Sequence, residues 1–357
     1  MSRSLSVPLE HPPRPRLKDG LVALWRDEST IQVGLDAERA AVVGDVSPES
    51  VAALRLLDGR HSRDEIDSLG TAARALIRLL DERGLLGTDS PPPGAELDED
   101  ARRRCAPEIA ASSLRHSGPD IGTRIFRARR SRRILVRGAG RVGTGVAHLL
   151  AASGAGRLDI EDETRVGPED VCPGCVSGAD LGLRRDAAAT ALAVRALPPS
   201  LGVGRPDLAL LCVEGPLPPP PESWAELVEG GAAVLPVVIR ESTAIVGPMV
   251  LADRLDLSGC PYCPDRHRAD RDPSWPELVS QLRSVGVPGP TPATLVWATA
   301  ALAAGQALAL LDHLSGLGPS SIPSIGATLE LAADQWTWRR RWWGPHPGCS
   351  CLRRAVA

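Results

Sequence analysis

The stretch RILVRGAGRVGTGVAHLLAA, residues 133–152, decides the fold. Its apolar run ILV predicts a buried strand. The three glycines that follow, Gly138, Gly140 and Gly143, have the spacing of a dinucleotide-binding turn. The run VAHLL then predicts a helix whose N-terminus would face a phosphate group. A strand, a glycine turn and a helix in this order are typical of the start of a parallel α/β sheet.

Strand and helix patterns continue to alternate after this stretch. Helices are predicted at 143–153, 180–197, 222–229 and 291–314, and strands at 157–161, 208–213, 233–239, 244–251 and within 328–341. This alternation predicts an α/β domain over residues 132–357, built on a Rossmann-like parallel sheet. The apolar run Leu295–Leu311 is interrupted by a glycine and a glutamine, so we interpret it as a buried helix and expect no membrane span.

A smaller module is predicted before this domain, over residues 21–87. Three short β-branched or alternating runs predict a meander of three strands at 21–25, 30–35 and 39–43. Three helical patterns follow, which together with the strands indicate a winged-helix-like α+β module. The proline- and arginine-rich residues 1–20 predict a flexible arm. Residues 88–131 predict a linker and a transitional segment.

Composition limits the classes of function. The chain has 357 residues, 43% hydrophobic and 24% charged, with a net charge of −3. These values are typical of a globular protein, and no basic field indicates a nucleic acid partner. The N-terminal residues lack the apolar core of a signal peptide, so we expect a cytoplasmic protein. In that compartment the eight cysteines are expected to be metal ligands or free thiols and not disulfides.

Two close cysteine pairs form the strongest site signal. Cys260 and Cys263 flank Pro-Tyr, and Cys349 and Cys351 flank a serine. Two such pairs can converge on one tetrahedral zinc ion, and we predict a structural Zn²⁺ site. The alternative is four ordinary thiols, and the single residue inside the second pair is a departure from the commoner spacing of two.

A third pair, Cys172 and Cys175, leaves several interpretations open: a metal pair, a redox pair or a coincidence in an exposed loop. We favour the last of these. His267 and His346 lie beside the predicted zinc ligands, and we expect them to be neighbours of the site and not ligands, because the thiolates already supply four positions.

Residues 138–166, GAGRVGTGVAHLLAASGAGRLDIEDETRV, resemble the opening of the ThiF-like, E1-like adenylate-forming proteins. By that resemblance, Asp162 would hold the nucleotide ribose and Arg185 would stand where the family has a phosphate-binding lysine. The resemblance also implies that the four paired cysteines are structural zinc ligands.

The N-terminal module resembles PqqD-like recognition elements in the stretches 15–36 and 56–66. With CPYCPDRHRADRDPSWP at 260–276 and HPGCSC at 346–351, nearly the whole chain is similar to the ThiF-like leader-peptide-binding partners of azole-forming (TOMM) cyclodehydratases. The resemblance implies that the chain binds the leader of a ribosomal precursor peptide and presents it to a YcaO-type cyclodehydratase, which forms azolines with ATP.

Several positions depart from the adenylating members of the family. Thr164 replaces a second acidic residue, and Asp-Val-Cys-Pro-Gly at 170–174 replaces an Asn-Leu-Asn-Arg-Gln stretch. Arg185 replaces the lysine, only Glu214 stands near the expected later acidic position, and Arg141 replaces a glycine. Adenylation needs cations for the triphosphate and an acid for Mg²⁺. We therefore expect a degenerate site whose glycines serve the turn and its packing. ATP binding is doubtful and stays open, and so does the alternative of an active adenylyltransferase on a peptide or carrier-protein C-terminus.

A PqqD-like module would bind its peptide by strand addition, between the third strand and the helix at 71–83. The candidate contacts are Val42, Val43, Ala73, Arg74, Ile77 and Leu80. The alternative is that these residues form the core of the module, above all Ile77 and Leu80. The acidic residues of the module balance its arginines, which argues against DNA binding by a winged helix.

Tryptophan and arginine alternate near the end of the chain, around Arg339–Arg341. The neighbouring tryptophans are Trp336, Trp338, Trp342 and Trp343. The pattern predicts a late strand that is either a docking surface or packed on the core. The sequence leaves homodimerisation open.

Overall fold

The structure is a computed structural model that describes residues 14–88, 97–118, 120–199, 204–220, 222, 224–285 and 291–351. The chain divides into two compact units, Met1–Arg127 and Ala128–Ala357.

Short strands and helices make up the first unit. In chain order these are β1 (Pro15–Leu17), β2 (Ala23–Trp25), β3 (Ile31–Val33), β4 (Ala41–Val43), α1 (Pro48–Leu56), α2 (Arg63–Asp67), α3 (Thr71–Glu82), β5 (Leu86–Thr88), α4 (Glu99–Arg115) and α5 (Ile121–Ser131), which crosses the boundary. β2, β3 and β4 form an antiparallel sheet in that order, and β1 pairs with β5. The predicted meander followed by three helices is confirmed.

α3 is the central helix of this unit. Its residues Ala73, Ile77 and Leu80 are fully buried against side chains such as Val33 and Ile66. Their spacing of three and four places them on one face of the helix, which explains why this face forms the core.

The flexible arm predicted over residues 1–20 is wrong for its last part, since β1 pairs with β5. Lys18, the only lysine, is 3% exposed, and its ammonium donates to the carbonyl oxygens of Ser113 (2.7 Å) and His116 (2.8 Å). These acceptors lie at the C-terminal end of α4, where a cation is favourable. Residues 1–13 lie outside the described residues.

The linker and transitional segment predicted over 88–131 contains two helices, α4 and α5. The buried residues of α4 are Ala101, Cys105 and Ser112, which are small and include one polar residue. Such a face gives almost no apolar periodicity, and Pro107 further obscures the helical pattern. Residues 89–96 of the predicted linker lie outside the described residues.

The second unit consists of an α/β layer followed by an antiparallel extension. In chain order its elements are β6 (Arg133–Arg137), α6 (Arg141–Ala152), β7 (Arg157–Glu161), α7 (Arg185–Ala196), β8 (Leu208–Cys212), α8 (Ala225–Glu229), β9 (Ala233–Arg240), β10 (Thr243–Val246), α9 (Leu255–Ser258), α10 (Cys263–Arg271), α11 (Trp275–Val285), α12 (Ala293–Leu314), β11 (Ala327–Ala332) and β12 (Thr337–Trp342).

A mixed sheet of seven strands in the order β12-β11-β10-β9-β8-β6-β7 forms the centre of this unit. The predicted α/β, Rossmann-like class is confirmed, but the parallel arrangement covers only β7, β6, β8 and β9. β10, β11 and β12 are antiparallel. The chain reverses between Arg240 and Thr243, helped by a positive φ of 54° at Glu241. A parallel crossover needs a dozen or more residues, so this short turn requires an antiparallel neighbour.

α12 packs in the main core, on the same sheet face as α6. The helix has 22 residues and contains an 18-residue window with a mean hydropathy of 1.6, so it is long and apolar enough to cross a membrane by length and composition alone. Ala300, Ala303 and Ala307 are nevertheless fully buried among core residues such as Val146 and Leu150. The prediction of a buried helix in this region is confirmed.

A buried ion pair joins the start of this unit to the last turn of α12. Arg129 donates from Nε to Asp312 Oδ1 (2.7 Å) and from Nη2 to Oδ2 (2.6 Å), and the two side chains are only 2% and 4% exposed. Such a bidentate pair is stable only while both charges are present, because either one alone would be buried without compensation.

We expect Asp312→Ala to lower the free energy of unfolding of the second unit by about 3–5 kcal/mol, because it leaves Arg129 buried and unpaired. Urea denaturation followed by tryptophan fluorescence measures the change. Asp256→Ala is the matched control, since Asp256 pairs with Arg254 at 3.1 Å on the surface and its loss should leave the midpoint unchanged. Equal shifts for the two variants would contradict the prediction.

Candidate functional site

The glycine turn joins β6 to α6 and is packed too tightly for larger residues. Gly138 has a φ of 92°, and a Cβ at this position would collide with the carbonyl oxygen of Cys212. A Cβ on Gly143 would collide with the carbonyl oxygen of Gly138. Both glycines are therefore needed by the backbone itself, which is the structural role that the sequence suggested for them.

Asp162 follows β7 and contacts the glycine turn directly. Its Oδ2 accepts a hydrogen bond from the backbone N–H of Ala139 at 2.8 Å. Its Oδ1 accepts from the backbone N–H and the hydroxyl of Thr164, at 3.0 and 2.6 Å. Both oxygens of the expected ribose acceptor are thus engaged within the protein, and they fix the turn to the end of β7.

Glu214 lies against the N-terminus of α6. A Cβ added to Gly140, which caps this helix, would collide with Glu214 Oε1. The free N–H groups of a helix N-terminus favour an anion, and this is where a phosphate binds in a dinucleotide turn. A carboxylate of the protein therefore already lies beside the position expected for the phosphate.

Arg185, at the start of α7, is held by carboxylates from separate segments. Its guanidinium contacts Asp170 at 2.7 Å, Glu214 at 3.1 Å and, more distantly, Asp162 at 4.0 Å. Burial lowers its pKa, but the hydrogen bond to Asp170 and the attraction of Glu214 outweigh this and raise the pKa above its usual value. The cation that the resemblance assigns to the phosphates is thus neutralised internally.

The cavity at this end of the sheet has a volume of about 200 Å³. Among its lining residues, Glu169, Asp170 and Glu214 are acidic and Arg141 is basic. Arg141 donates to the backbone carbonyls of Thr291 and Val171, at 2.5 and 3.0 Å. Ligand pockets usually measure about 300–1,000 Å³. The cavity is thus small, and its charged lining residues are three carboxylates against one guanidinium, which disfavours a triphosphate.

Cys172 and Cys175 lie beside this cavity. Both are buried, so the exposed loop predicted for them is wrong. The Cys175 thiol lies 3.4 Å from the carbonyl oxygen of Arg141, and burial raises its pKa to about 12. A thiol with so high a pKa is a poor nucleophile. Among the described residues, one group of side chains could together hold a metal ion, and neither Cys172 nor Cys175 belongs to it.

The other four predicted ligands, Cys260, Cys263, Cys349 and Cys351, converge in one buried cluster. Their sulfur atoms all lie within 4.8 Å of one another. Three separations are short: 3.7 Å between Cys260 and Cys263, 3.5 Å between Cys260 and Cys349, and 3.5 Å between Cys263 and Cys351. Four sulfurs at about 2.3 Å from a tetrahedral ion would lie about 3.8 Å apart. The cluster therefore fits a metal ion such as zinc, and the one-residue spacing of the second pair is compatible with it.

Groups around the cluster stabilise one thiolate, that of Cys263. Its pKa is lowered to about 4 by the hydrogen bond from the Cys260 thiol, helped by the backbone N–H groups of Cys260 and His346. The same hydrogen bond raises the pKa of Cys260, and burial raises the pKa of Cys351. His346 contributes this N–H at 3.3 Å, while its Nε2 lies 2.8 Å from Asp270. The His267 Nε2 lies 3.0 Å from the carbonyl oxygen of Gly344. Both imidazoles therefore support the cluster from outside it.

In the first unit, the residues predicted to contact a peptide divide into two groups. Val42 is 48% exposed on β4, Val43 is half-buried, and Arg74 is exposed on α3. Ala73, Ile77 and Leu80 are fully buried in the core of the module. Their face of α3 packs inward, so the structure favours the alternative that these three residues form the core of the module.

Two features of the site are not predicted from the sequence: the ion pair of Asp170 and the position of Glu214. Asp170 belongs to the stretch 170–174 that departs from the family, yet it makes the shortest ion pair with Arg185. Charge is the signal that could have found this pair, because an arginine that becomes buried requires a nearby acid.

Sequence comparison finds no match, since no protein-family model and no curated protein matches this chain. Solved structures do match. The structure of E. coli MccB with ATP has a TM-score of 0.68 at 15% identity, covering 94% of this chain and 98% of that one. The microcin C7 biosynthetic enzyme MccB in complex with N-formylated MccA gives 0.67 at 14% identity with the same coverage. PaaA gives 0.63 at 16% identity, covering 92% of this chain and all of that one. At such low identity the likeness concerns architecture, and it shows that this chain has the ThiF-like, E1-like fold.

Proposed function

We propose that this chain is a non-catalytic E1-like subunit that binds the leader of a ribosomal precursor peptide. In this proposal it presents the peptide to a YcaO-type cyclodehydratase, which forms thiazole or oxazole precursors. The similarity to MccB, which has been solved with MccA, supports a role in the modification of ribosomal peptides. The partnership with a cyclodehydratase rests on the sequence resemblance described above.

The observation that supports the non-catalytic role is that carboxylates lie beside the glycine turn, where a phosphate would bind. Glu214 lies against Gly140 at the N-terminus of α6, and Arg185 is paired with Asp170 and Glu214. A triphosphate would have to displace one carboxylate and approach others, with no lysine in this unit to compensate. The site therefore keeps the shape of a nucleotide cradle while its charge is unfavourable for the ligand.

Leader binding is proposed for the groove between β4 and α3. β4 is an edge strand of its sheet in the described part of the chain, so it can accept another strand. Arg83, just after α3, donates to the carbonyl oxygen of Ala40 at 2.8 Å and fixes this end of the groove. Val42 and Arg74 offer an exposed apolar and an exposed cationic contact, which suits a leader with both apolar and acidic residues.

Zinc is the metal that we propose for the four-cysteine cluster. Four buried thiolates in tetrahedral arrangement are the donor set of structural zinc sites, and no coordination position remains open for a substrate. Cys260 and Cys263 adjoin the start of α10, and the other pair follows β12, so the ion would fix the last segment of the chain to the body of the unit. The proposed role is therefore structural.

An active adenylyltransferase is the second candidate function. Two observations favour it: the intact turn with Asp162 bound to Ala139, and the likeness to MccB structures that contain ATP. The two candidates differ in whether the chain activates a carboxylate with ATP.

Pyrophosphate exchange distinguishes the two candidates. We expect the purified protein to catalyse no ATP-dependent exchange above background, with or without a precursor peptide, because the carboxylates repel the triphosphate. Robust exchange that is abolished in Asp162→Asn would establish the adenylyltransferase instead.

Leader binding is tested by fluorescence anisotropy with a labelled leader peptide encoded beside the gene. We expect Arg74→Glu to weaken binding at least about tenfold, or about 1.4 kcal/mol, through loss of one charge pair and added repulsion. Val42→Asp should also weaken binding. Arg55→Glu, an exposed change on α1, is the matched control. The proposal fails if wild type does not bind at tens of micromolar, or if all three variants bind equally.

Elemental analysis tests the metal. We expect one zinc ion per chain in the wild type and none in the double variant Cys260→Ser, Cys263→Ser, whereas Cys172→Ser, Cys175→Ser keeps its zinc. Absence of zinc from the wild-type protein is by itself sufficient to reject the site, so the result does not depend on whether the first variant folds.

A further inference from the structure

β12, the last strand of the second unit, lies at the edge of the seven-stranded sheet and pairs with β11 on one side. Most of its residues are exposed. An exposed strand edge offers unpaired N–H and C=O groups that a further strand can use. We call Thr337–Trp342 the β12 edge.

One face of the β12 edge carries Trp338, Arg340 and Trp342 in alternation, because side chains two apart in a strand share a face. The two tryptophans are 47% and 53% exposed. The Arg340 guanidinium lies 5.6 Å from the centre of the Trp342 ring, and its Nε donates to the carbonyl oxygen of Pro323 at 2.8 Å. Large, exposed and partly fixed Trp and Arg side chains are the residues most enriched at binding hot spots.

The two arginines on the other face of the strand share one carboxylate of the protein. Arg339 and Arg341 approach the same carboxylate, Glu330 on β11, at 2.6 and 3.6 Å. Arg340 differs, since no carboxylate pairs with it among the residues that the structure describes. The exposed ladder therefore presents one uncompensated cation between two aromatic rings.

We propose that the β12 edge docks an extended segment of a partner protein by strand addition, with an acidic residue opposite Arg340. Apolar residues two positions before and after that acid would pack on Trp338 and Trp342. Cross-strand pairs of opposite charge and of aromatic with β-branched residues stabilise neighbouring strands, which gives this pattern its physical basis. The recognised pattern is apolar-x-acidic-x-apolar.

A second copy of this chain fits the edge poorly. Its own edge sequence is TWRRRW, so pairing two copies in either direction would bring arginines opposite or diagonal to arginines. Like charges opposite one another destabilise a strand pair. Charge complementarity thus favours a partner with acidic residues at alternate positions.

Selection from a display library of random heptapeptides tests the inference on the full-length protein. We expect the wild type to enrich peptides with Asp or Glu flanked two residues away by Val, Ile, Leu, Phe or Tyr. Arg340→Glu should instead enrich Lys or Arg at the central position, and a Trp338→Ala, Trp342→Ala double variant should bind the wild-type peptides at least about tenfold more weakly. Arg283→Glu, an exposed change on α11, serves as the control and should leave the selection unchanged.

Three results would overturn the docking site. No enrichment, or the same peptides with Arg340→Glu, would mean that the arginines only protect the edge from pairing. A halved mass in solution for the double tryptophan variant would assign the edge to self-association. Loss of single-stranded oligonucleotide binding in Arg340→Glu, without peptide selection, would assign it to nucleic acid. The site lies in the second unit and the leader groove in the first, so leader affinity measured on the same variants tests the proposed function separately.

Discussion

The arrangement of the candidate site depends on one guanidinium. Arg185 is 8% exposed and contacts Asp170 in the loop after β7 and Glu214 in the loop after β8. A buried charge without a partner costs several kcal/mol, so the chain must keep these carboxylates at the carboxyl end of the parallel strands. This requirement brings Glu214 to the N-terminus of α6. In a dinucleotide turn a phosphate binds at this helix N-terminus, whereas here the Glu214 side chain lies beside it.

Because of this constraint, the residues of the nucleotide-binding motif can be kept for structural reasons without binding a nucleotide. Gly138 and Gly143 remain because the backbone of the turn approaches other backbone atoms too closely for any other residue. Asp162 remains because it fixes the turn to β7. Each of these residues is explained by packing or internal hydrogen bonding, without a nucleotide. An E1-like motif in a sequence therefore indicates the architecture more strongly than the activity, and the charges around the motif decide between the two.

Local patterns could be predicted from the sequence, whereas most contacts between distant segments could not. The glycine turn, the strands beside it and the meander of the first unit depend on neighbouring residues, and they lie close to their predicted positions. The four-cysteine cluster could also be predicted, since thiolate pairs can belong together over a long sequence separation. By contrast, the pairing of β1 with β5 depends on partners far apart in the chain, and the buried face of α4 is made of small residues. The burial of Ile77 and Leu80 was an open alternative, because an amphipathic face looks the same whether it packs on its own module or on a peptide.

The cysteine cluster and the β12 edge are linked through the segment that joins them. Immediately after β12, the buried Trp343 donates its indole N–H to Thr328 on β11 at 2.9 Å, and Arg268 of α10 stacks on its ring at 4.5 Å. A few residues later, the backbone N–H of His346 donates to the Cys263 sulfur. The end of the edge strand is therefore held by an aromatic anchor on one side and the thiolate cluster on the other. An ion in that cluster would restrict the same segment further, and a preorganised strand loses less entropy when it accepts a partner. On this argument a metal ion would act at a distance from any substrate, by keeping the Trp338, Arg340 and Trp342 ladder in one geometry.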